Sequence, residues 1–161
     1  MDFDSGLTQC LPRLRRFAHA LSRDPADADD LTQMTIERAL ASRAQWQEGT
    51  KLDSWLYRIM RNLWIDTARS RARKARLEAP PEAAETIGVD PRPGLEAAVD
   101  LARVMAAMGR LPDEQREVVA LILVEGFGYR EVSEMLGLPI GTVSSRLVRG
   151  RTALLEMVGE R

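Results

Sequence analysis

Apolar side chains in this 161-residue chain recur every three or four positions and almost nowhere alternate with polar ones. The clearest run lies within residues 52–63, where apolar residues fall at offsets of 0, 3, 4, 7, 8 and 11. Its members are Leu52, Trp55, Leu56, Ile59, Met60 and Leu63. This spacing places all of them on one side of an α-helix, whereas a half-buried strand needs alternation. The pattern predicts an all-α fold.

Two further helices are predicted ahead of this run. The first covers residues 7–22, and its apolar side is formed by Leu11, Leu14, Phe17 and Leu21. The second is expected to begin near Asp24-Pro25 or Asp27, because Asp caps helices and Pro suits their first turn. We expect it to fade around residues 47–49. Its apolar residues are Leu31, Met34, Ile36, Ala39 and Leu40.

The formal net charge of −1 conceals three blocks of different charge. Residues 1–76 sum to +4, residues 77–100 to −5 and residues 101–161 to zero. The middle block also holds four prolines and two glycines, a composition that disfavours a packed core. We therefore predict two small helical domains, 1–76 and 101–161, joined by a flexible acidic linker over 77–100. A helix is expected from Val99 to Leu111.

A dense basic cluster closes the first block. Within residues 58–76, seven basic side chains accompany a single acid, Asp66. Such a cluster can neutralise nucleic-acid phosphates whatever the total charge of the chain. It can equally be the solvated end of a helix, since Arg and Lys favour C-terminal turns. The charges alone leave both interpretations open.

Residues 129–151 have the spacing of a helix-turn-helix. The first helix is expected to end at Gly137, where a left-handed backbone costs little. Its inward residues would be Val132, Met135 and Leu136. On the second helix, Val143 and Leu147 would face the core, which leaves short polar side chains and arginines pointing outward. Major-groove readers need such a surface. A helical hairpin that binds nothing is the alternative.

Several classes of function lack the residues they need. A single cysteine, Cys10, excludes an internal disulfide and is interpreted as structural. A single histidine, His19, without a Cys/His cluster, supplies no metal site. The chain has no Gly-rich phosphate loop and no Ser/His/Asp arrangement, so we expect no enzyme activity, cofactor or small-molecule substrate. The acidic start does not suit a signal peptide, and no apolar run reaches the roughly 18 residues that span a bilayer. We therefore expect a cytoplasmic protein without membrane insertion.

Three segments carry more specific motifs. They are ADADDLTQMTIERAL at residues 26–40, WLYRIMRNLWID at residues 55–66 and LPDEQREVVALILVEGFGYREVSEMLGLPIGTVSSRLVRGR at residues 111–151. In this order they resemble the extracytoplasmic-function (ECF) sigma factors of bacterial RNA polymerase. The family usually has an acid where Met34 stands, Phe where Ile36 stands and a smaller residue where Trp64 stands.

The resemblance implies sigma region 2 over residues 1–76 and sigma region 4 over residues 101–161. It also implies that the segment around residues 26–40 docks on core RNA polymerase. Asp30, Gln33 and Glu37 share one helical face there, because they are three and four positions apart. From the residues alone, an ordinary solvated face is the alternative.

The resemblance implies two contacts with promoter DNA. Region 2 would capture a flipped base of the melted −10 element, which needs polar groups, an aromatic surface and cations on the backbone. The residues assigned to it are Arg58, Arg61, Asn62, Trp64, Asp66, Arg69, Arg71 and Arg73. Trp64 suits a core position equally well, whereas Trp46 and Trp55 are expected in the core. Region 4 would read the −35 duplex, with Arg149 as the main base reader. Its assigned residues are Tyr129, Thr142, Ser144, Ser145, Arg146, Val148, Arg149 and Arg151.

The implied partners are core RNA polymerase, promoter DNA and an inhibitory anti-sigma factor. Two other classes of protein are alternatives to a sigma factor. A stand-alone helix-turn-helix regulator would bind DNA without the polymerase. A sigma-like mimic that only titrates an anti-sigma factor would have lost its DNA readers, but both Asn62 and Arg149 are present.

Overall fold

The computed structural model describes residues 2–77 and 96–159, and every regular element in these two ranges is helical. The all-α prediction is therefore confirmed. The helices are α1 (Phe3–Ser22), α2 (Pro25–Ala41), α3 (Leu52–Leu77), α4 (Glu96–Arg110), α5 (Asp113–Val119), α6 (Tyr129–Leu136) and α7 (Ile140–Gly159). A 3₁₀ turn (Arg43–Gln45) follows α2, and a π-helical turn (Ala120–Val124) continues α5. None of the described helices is both long and apolar enough to cross a membrane.

Helices α1, α2 and α3 form the N-terminal unit. Asp24 caps α2 by accepting a hydrogen bond from the Asp27 backbone N–H at 3.0 Å, with Pro25 in the first turn as expected. The core of this unit comes from all three helices, and it includes Tyr57, which was not part of the predicted apolar side of α3. Its most deeply buried members include Leu14, Phe17, Leu56, Tyr57 and Met60.

Helices α4 to α7 form the C-terminal unit. Arg116 on α5 is almost fully buried, and its guanidinium donates to backbone carbonyls of Leu111 and, on α1, of Ala20 and Leu21. These bonds satisfy a buried charge and tie the C-terminal unit to α1. The apolar core of the unit includes Val118, Leu121, Val132, Val143 and Leu147.

Several helix boundaries differ from those predicted. Helix α1 begins at Phe3 rather than at Leu7. Helix α2 ends at Ala41 rather than near residues 47–49, and the chain then brings Trp46 against Phe3, with ring centres 5.8 Å apart. Helix α4 begins at Glu96, three residues before Val99. Helix α3 continues through Leu77. The rest of the predicted linker, residues 78–95, lies outside the described residues.

The two units contact each other along α1 and α3. Tyr57 of α3 packs edge-on against Phe127, which follows the π turn, with ring centres 5.2 Å apart. On the other side Tyr57 packs against Phe17 of α1, at 4.9 Å. Polar contacts surround this aromatic stack and are described below.

Candidate nucleic-acid interface

A few residues determine the conformation of the turn between α6 and α7. Gly137 ends α6 with a φ of +65°, the left-handed conformation that glycine adopts without strain. The Ser133 hydroxyl then donates to the Leu138 carbonyl at 2.5 Å, and the Leu138 N–H donates to the Ser133 carbonyl at 3.1 Å. This closure fixes the angle between the helices. The predicted helix-turn-helix is present.

One face of α7 is available to DNA. Val143 and Leu147 are buried, as expected. The exposed residues of this helix include Ser144, Ser145, Val148, Arg149 and Arg151. This combination of small hydroxyls and arginines suits the edges of bases and the flanking phosphates.

The remaining candidates in the C-terminal unit lie at its margins. Tyr129 is exposed at the start of α6, whereas Thr142 is half-buried. Arg146 lies 3.6 Å from the Glu114 carboxylate, so part of its charge is compensated within the unit. Arg130, next to Tyr129, is also exposed and was missed by the sequence analysis. Its position next to the assigned Tyr129, at the start of α6, is the signal that would have indicated it.

Helix α3 presents a second polar surface. Asn62 and Asp66 are both exposed and lie one helical turn apart, so they share a face of α3. Arg69 and Arg73 are exposed further along the helix. An amide, a carboxylate and nearby guanidiniums can therefore meet one nucleotide from a single helix.

Arg71 and Trp64 contact each other, and Arg71 also binds α2. Arg71 donates two hydrogen bonds to the Asp27 carboxylate, at 2.6 and 2.8 Å, and these bonds lower the pKa of Asp27. The same guanidinium lies 5.6 Å from the ring centre of half-buried Trp64. Trp64 is thus partly buried and also contacts an arginine. This environment is intermediate between the core position and the exposed aromatic surface that the sequence allowed.

Arg58 and Arg61 instead face the C-terminal unit. Arg58 donates to the Glu134 carbonyl at 2.8 Å, and Arg61 pairs with the Glu117 carboxylate at 3.1 Å. Burial raises the pKa of Glu117, although the Arg61 hydrogen bonds oppose this shift. In this arrangement the two arginines are engaged within the protein rather than held with Asn62.

Helix α2 presents an exposed acidic and polar face, as predicted. Asp30, Gln33 and Glu37 are all exposed, and the Gln33 amide donates to the Glu37 carboxylate at 3.3 Å. Asp29, also exposed, lies one turn before Gln33 and extends the face. The sequence analysis did not include it. Its spacing of four residues from Gln33 would have identified it.

The other side chains singled out from the sequence are structural. Trp46 and Trp55 pack around Phe3, with Trp55 at 6.1 Å between ring centres, and both are partly buried against the core. Cys10 is half-buried, and burial raises the pKa of its thiol. Among the described residues, no group of His, Cys, Asp or Glu side chains is placed to hold a metal ion.

Family models match both units separately. Residues 7–61 match the model described as the Sigma2 domain of PhyR, and residues 101–154 match that of Sigma-70, region 4. The combination defines a chain with sigma regions 2 and 4, in the order predicted from the motifs.

Whole-chain relatives narrow this class to one family. The ECF RNA polymerase sigma factor EcfG of Rhodopseudomonas palustris is 38% identical over 144 residues, covering 89% of this chain and 78% of the relative. SigE of Mycolicibacterium smegmatis is also 38% identical, over 98% of this chain but only 62% of the relative. The protein belongs to the ECF family of RNA polymerase sigma factors.

A solved structure supports the fold over nearly the full length. The sigma factor RpoE of Bartonella quintana, solved in complex with the anti-sigma factor NepR, has a TM-score of 0.88 and 33% identity. The similarity covers 99% of each chain.

Proposed function

We propose that this protein binds bacterial core RNA polymerase and directs initiation at promoters defined by a −35 and a −10 element. The observation that carries the proposal is that one chain exposes two separate DNA-facing surfaces, on α7 and on α3, within an ECF sigma-factor fold. Reading duplex DNA and binding an unpaired base require different surfaces, and promoter opening needs both.

The −35 element is assigned to the helix-turn-helix. Arg149 is positioned to reach base edges, because it is exposed midway along the outward face of α7. A guanidinium that grips guanine bidentately contributes about 1–3 kcal/mol of discrimination. Ser144 and Ser145 are assigned to adaptable base contacts, and the more peripheral Tyr129 and Arg151 to phosphates. The other assigned residues are Thr142, Arg146 and Val148.

The −10 element is assigned to α3. Asn62 and Asp66 supply the hydrogen-bonding groups for a flipped base, with Arg69 and Arg73 on the backbone. Trp64 and Arg71, which contact each other, are the remaining residues assigned to the −10 element. Arg58 and Arg61 join this surface only when the C-terminal unit moves away, because their guanidiniums are engaged by that unit.

Core polymerase is assigned to the acidic face of α2. The face comprises Asp30, Gln33 and Glu37, with Asp29 as an extension. A surface of this charge fits a basic partner and governs orientation and on-rate more than affinity. The assigned limits are residues 1–76 for region 2, 77–100 for the acidic linker and 101–161 for region 4.

The protein is also proposed to act in the cytoplasm, without enzyme activity of its own, and to be inhibited by an anti-sigma factor. The anti-sigma proposal rests on the similar RpoE, which was solved bound to NepR. The acidic linker opposes DNA binding by the isolated chain, so weak affinity of the chain alone for DNA is part of the proposal.

Run-off transcription on fragmented genomic DNA tests the proposal. Bacterial core polymerase is assayed with and without the protein, and discrete start sites are expected only with it. Alignment of the DNA upstream of these sites would give both promoter elements. A stand-alone regulator would give no new starts and would protect DNA unaided.

A further inference from the structure

Glu125, at the end of the π turn, forms the centre of a polar cluster between the two units. Its side chain is only 1% exposed. Arg16 of α1 donates to it through Nε at 2.7 Å and through Nη2 at 2.8 Å. The Tyr57 hydroxyl of α3 donates at 2.9 Å, and Arg13 Nε donates at 3.3 Å. These donors belong to the N-terminal unit, more than 60 residues away in sequence.

The cluster compensates the burial of the charge. Burial alone disfavours the ionised carboxylate, but hydrogen bonds from Arg16, Tyr57 and Arg13 outweigh this effect, and the pKa of Glu125 is lowered. Arg13 adds a second tie, because its guanidinium also reaches the Glu125 carbonyl at 3.4 Å and lies 5.5 Å from the ring centre of Phe127. Separation of the units would break all of these contacts together.

Another ion pair across the same interface is built differently. Lys51 and Glu131 lie 2.8 Å apart, but their side chains are 66% and 34% exposed. Solvent screens such a pair, and exposed pairs contribute little. In contrast, removing one partner of a buried, hydrogen-bonded pair leaves the other charge uncompensated. The interface therefore depends more on Glu125 than on Glu131.

We propose that Glu125, Arg13, Arg16 and Tyr57 form a latch that holds the two units in a closed arrangement. In that arrangement the C-terminal unit covers part of α3, where it engages Arg58 and Arg61. The closed protein therefore compensates the charge of Arg61 with Glu117 and holds exposed Arg58 by one hydrogen bond. The consequence that closure opposes −10 capture rests on the proposed function, but the latch itself does not.

Single-molecule energy transfer on the full-length protein measures the latch. Dyes are attached through Gln9→Cys on α1 and Glu156→Cys on α7, both exposed positions, in a Cys10→Ala background. Trajectories of immobilised molecules give the opening rate even when the open state is rare. This readout needs neither polymerase nor DNA, so the latch and the proposed function fail independently.

Glu125→Gln is expected to raise the opening rate about thirtyfold, because it removes the charge that two guanidiniums compensate. Glu131→Gln is the matched control, with the same change of charge at the same interface. Its amide can still accept the Gly128 backbone N–H that Glu131 accepts, so α6 keeps its cap. Less than a twofold change in opening rate is expected for this control.

An unchanged opening rate in Glu125→Gln, or an equal rise in both variants, would overturn the latch. Circular dichroism separates opening from unfolding, since opening leaves the helix content unaltered. Should Glu125→Gln lose helix content, Arg16→Gln provides the second test from the half-exposed side of the pair. It is expected to raise the opening rate with full helix content, and an unchanged rate would overturn the proposal.

Discussion

Arg149 is exposed on α7, two residues after buried Leu147 and directly before buried Gly150. Its backbone is thus held firmly while its side chain is free to reach a groove. We expect Arg149→Ala to lower run-off transcription about tenfold, because one bidentate base contact would be lost. Arg15→Ala on α1, which also removes an exposed arginine, is the control and should leave transcription within twofold.

The pattern of the Arg149→Ala defect matters as much as its size. Loss of a base contact should relax preference at one base pair of the −35 element, whereas loss of a phosphate contact should weaken all sequences equally. Transcription from a set of −35 variants distinguishes the two. A uniform decrease would assign Arg149 to the backbone instead.

Glu125 gives the closed arrangement a defined dependence on pH. The closed state lowers the pKa of Glu125 from its ordinary value of 4.5, through the hydrogen bonds that outweigh burial. Its contribution to closure is therefore full above pH 4.5 and is lost as the pH falls through the lowered pKa. The groups that face it are Arg13, Arg16 and Tyr57, and burial raises the pKa of Tyr57 away from this window.

The measurement that follows is the ratio of opening rates, Glu125→Gln over wild type, across this acidic range. We expect the ratio to be large at pH 7 and to approach one as Glu125 becomes protonated. A ratio that stays constant as the pH falls would show that the carboxylate charge does not hold the units together.

At the level of elements, α7 crosses α5 at a glycine. A Cβ built on Gly150 would lie 2.7 Å from Val119 Cγ2 and 3.3 Å from Gln115 Cβ, closer than packed atoms tolerate. We expect Gly150→Ala to destabilise the C-terminal unit by about 1–3 kcal/mol, since overpacking outweighs the better helix propensity of alanine.

Gly141 near the start of α7 is the matched control, because a Cβ there meets nothing within 4 Å. Gly141→Ala should leave stability unchanged or raise it by about 0.5 kcal/mol. Chemical denaturation followed by circular dichroism measures both variants. Equal stability of the two would mean that α5 and α7 separate readily at this crossing.

Local patterns predicted most of these elements. Some features depend only on a few neighbouring residues and can therefore be recognised from the sequence. They are the apolar spacing in residues 52–63, the Asp24 cap and the Gly137 turn. The end of α2 at Ala41 could not be predicted from local sequence, because tertiary packing of Trp46 on Phe3 competes with local helix preference. The π turn at residues 120–124 likewise had no local signal.

The candidate site was predictable in part for the same reason. Exposure of Arg149 follows from helical spacing once the apolar side of α7 is known. The engagement of Arg61 by Glu117 was not predictable, since 56 residues separate the pair in sequence. Such long-range contacts depend on how whole units pack.

At the level of the whole molecule, charge and arrangement together explain how a chain of net charge −1 can act on DNA. The basic surface of α3 and the arginines of α7 are local, and the acidic block 77–100 opposes them in the isolated chain. Closure through the Glu125 latch engages two more arginines. We expect both effects to make the free protein a weak DNA binder, so that the polymerase supplies the remaining contacts.

Footprinting at one promoter tests the central claim most directly. A duplex containing a start site is probed with the protein alone, with core polymerase alone and with both, and permanganate reports unpaired thymines. We expect −35 protection and reactive −10 thymines only when both proteins are present. Protection by the protein alone, with no reactive thymines in any mixture, would contradict its role as an initiation factor.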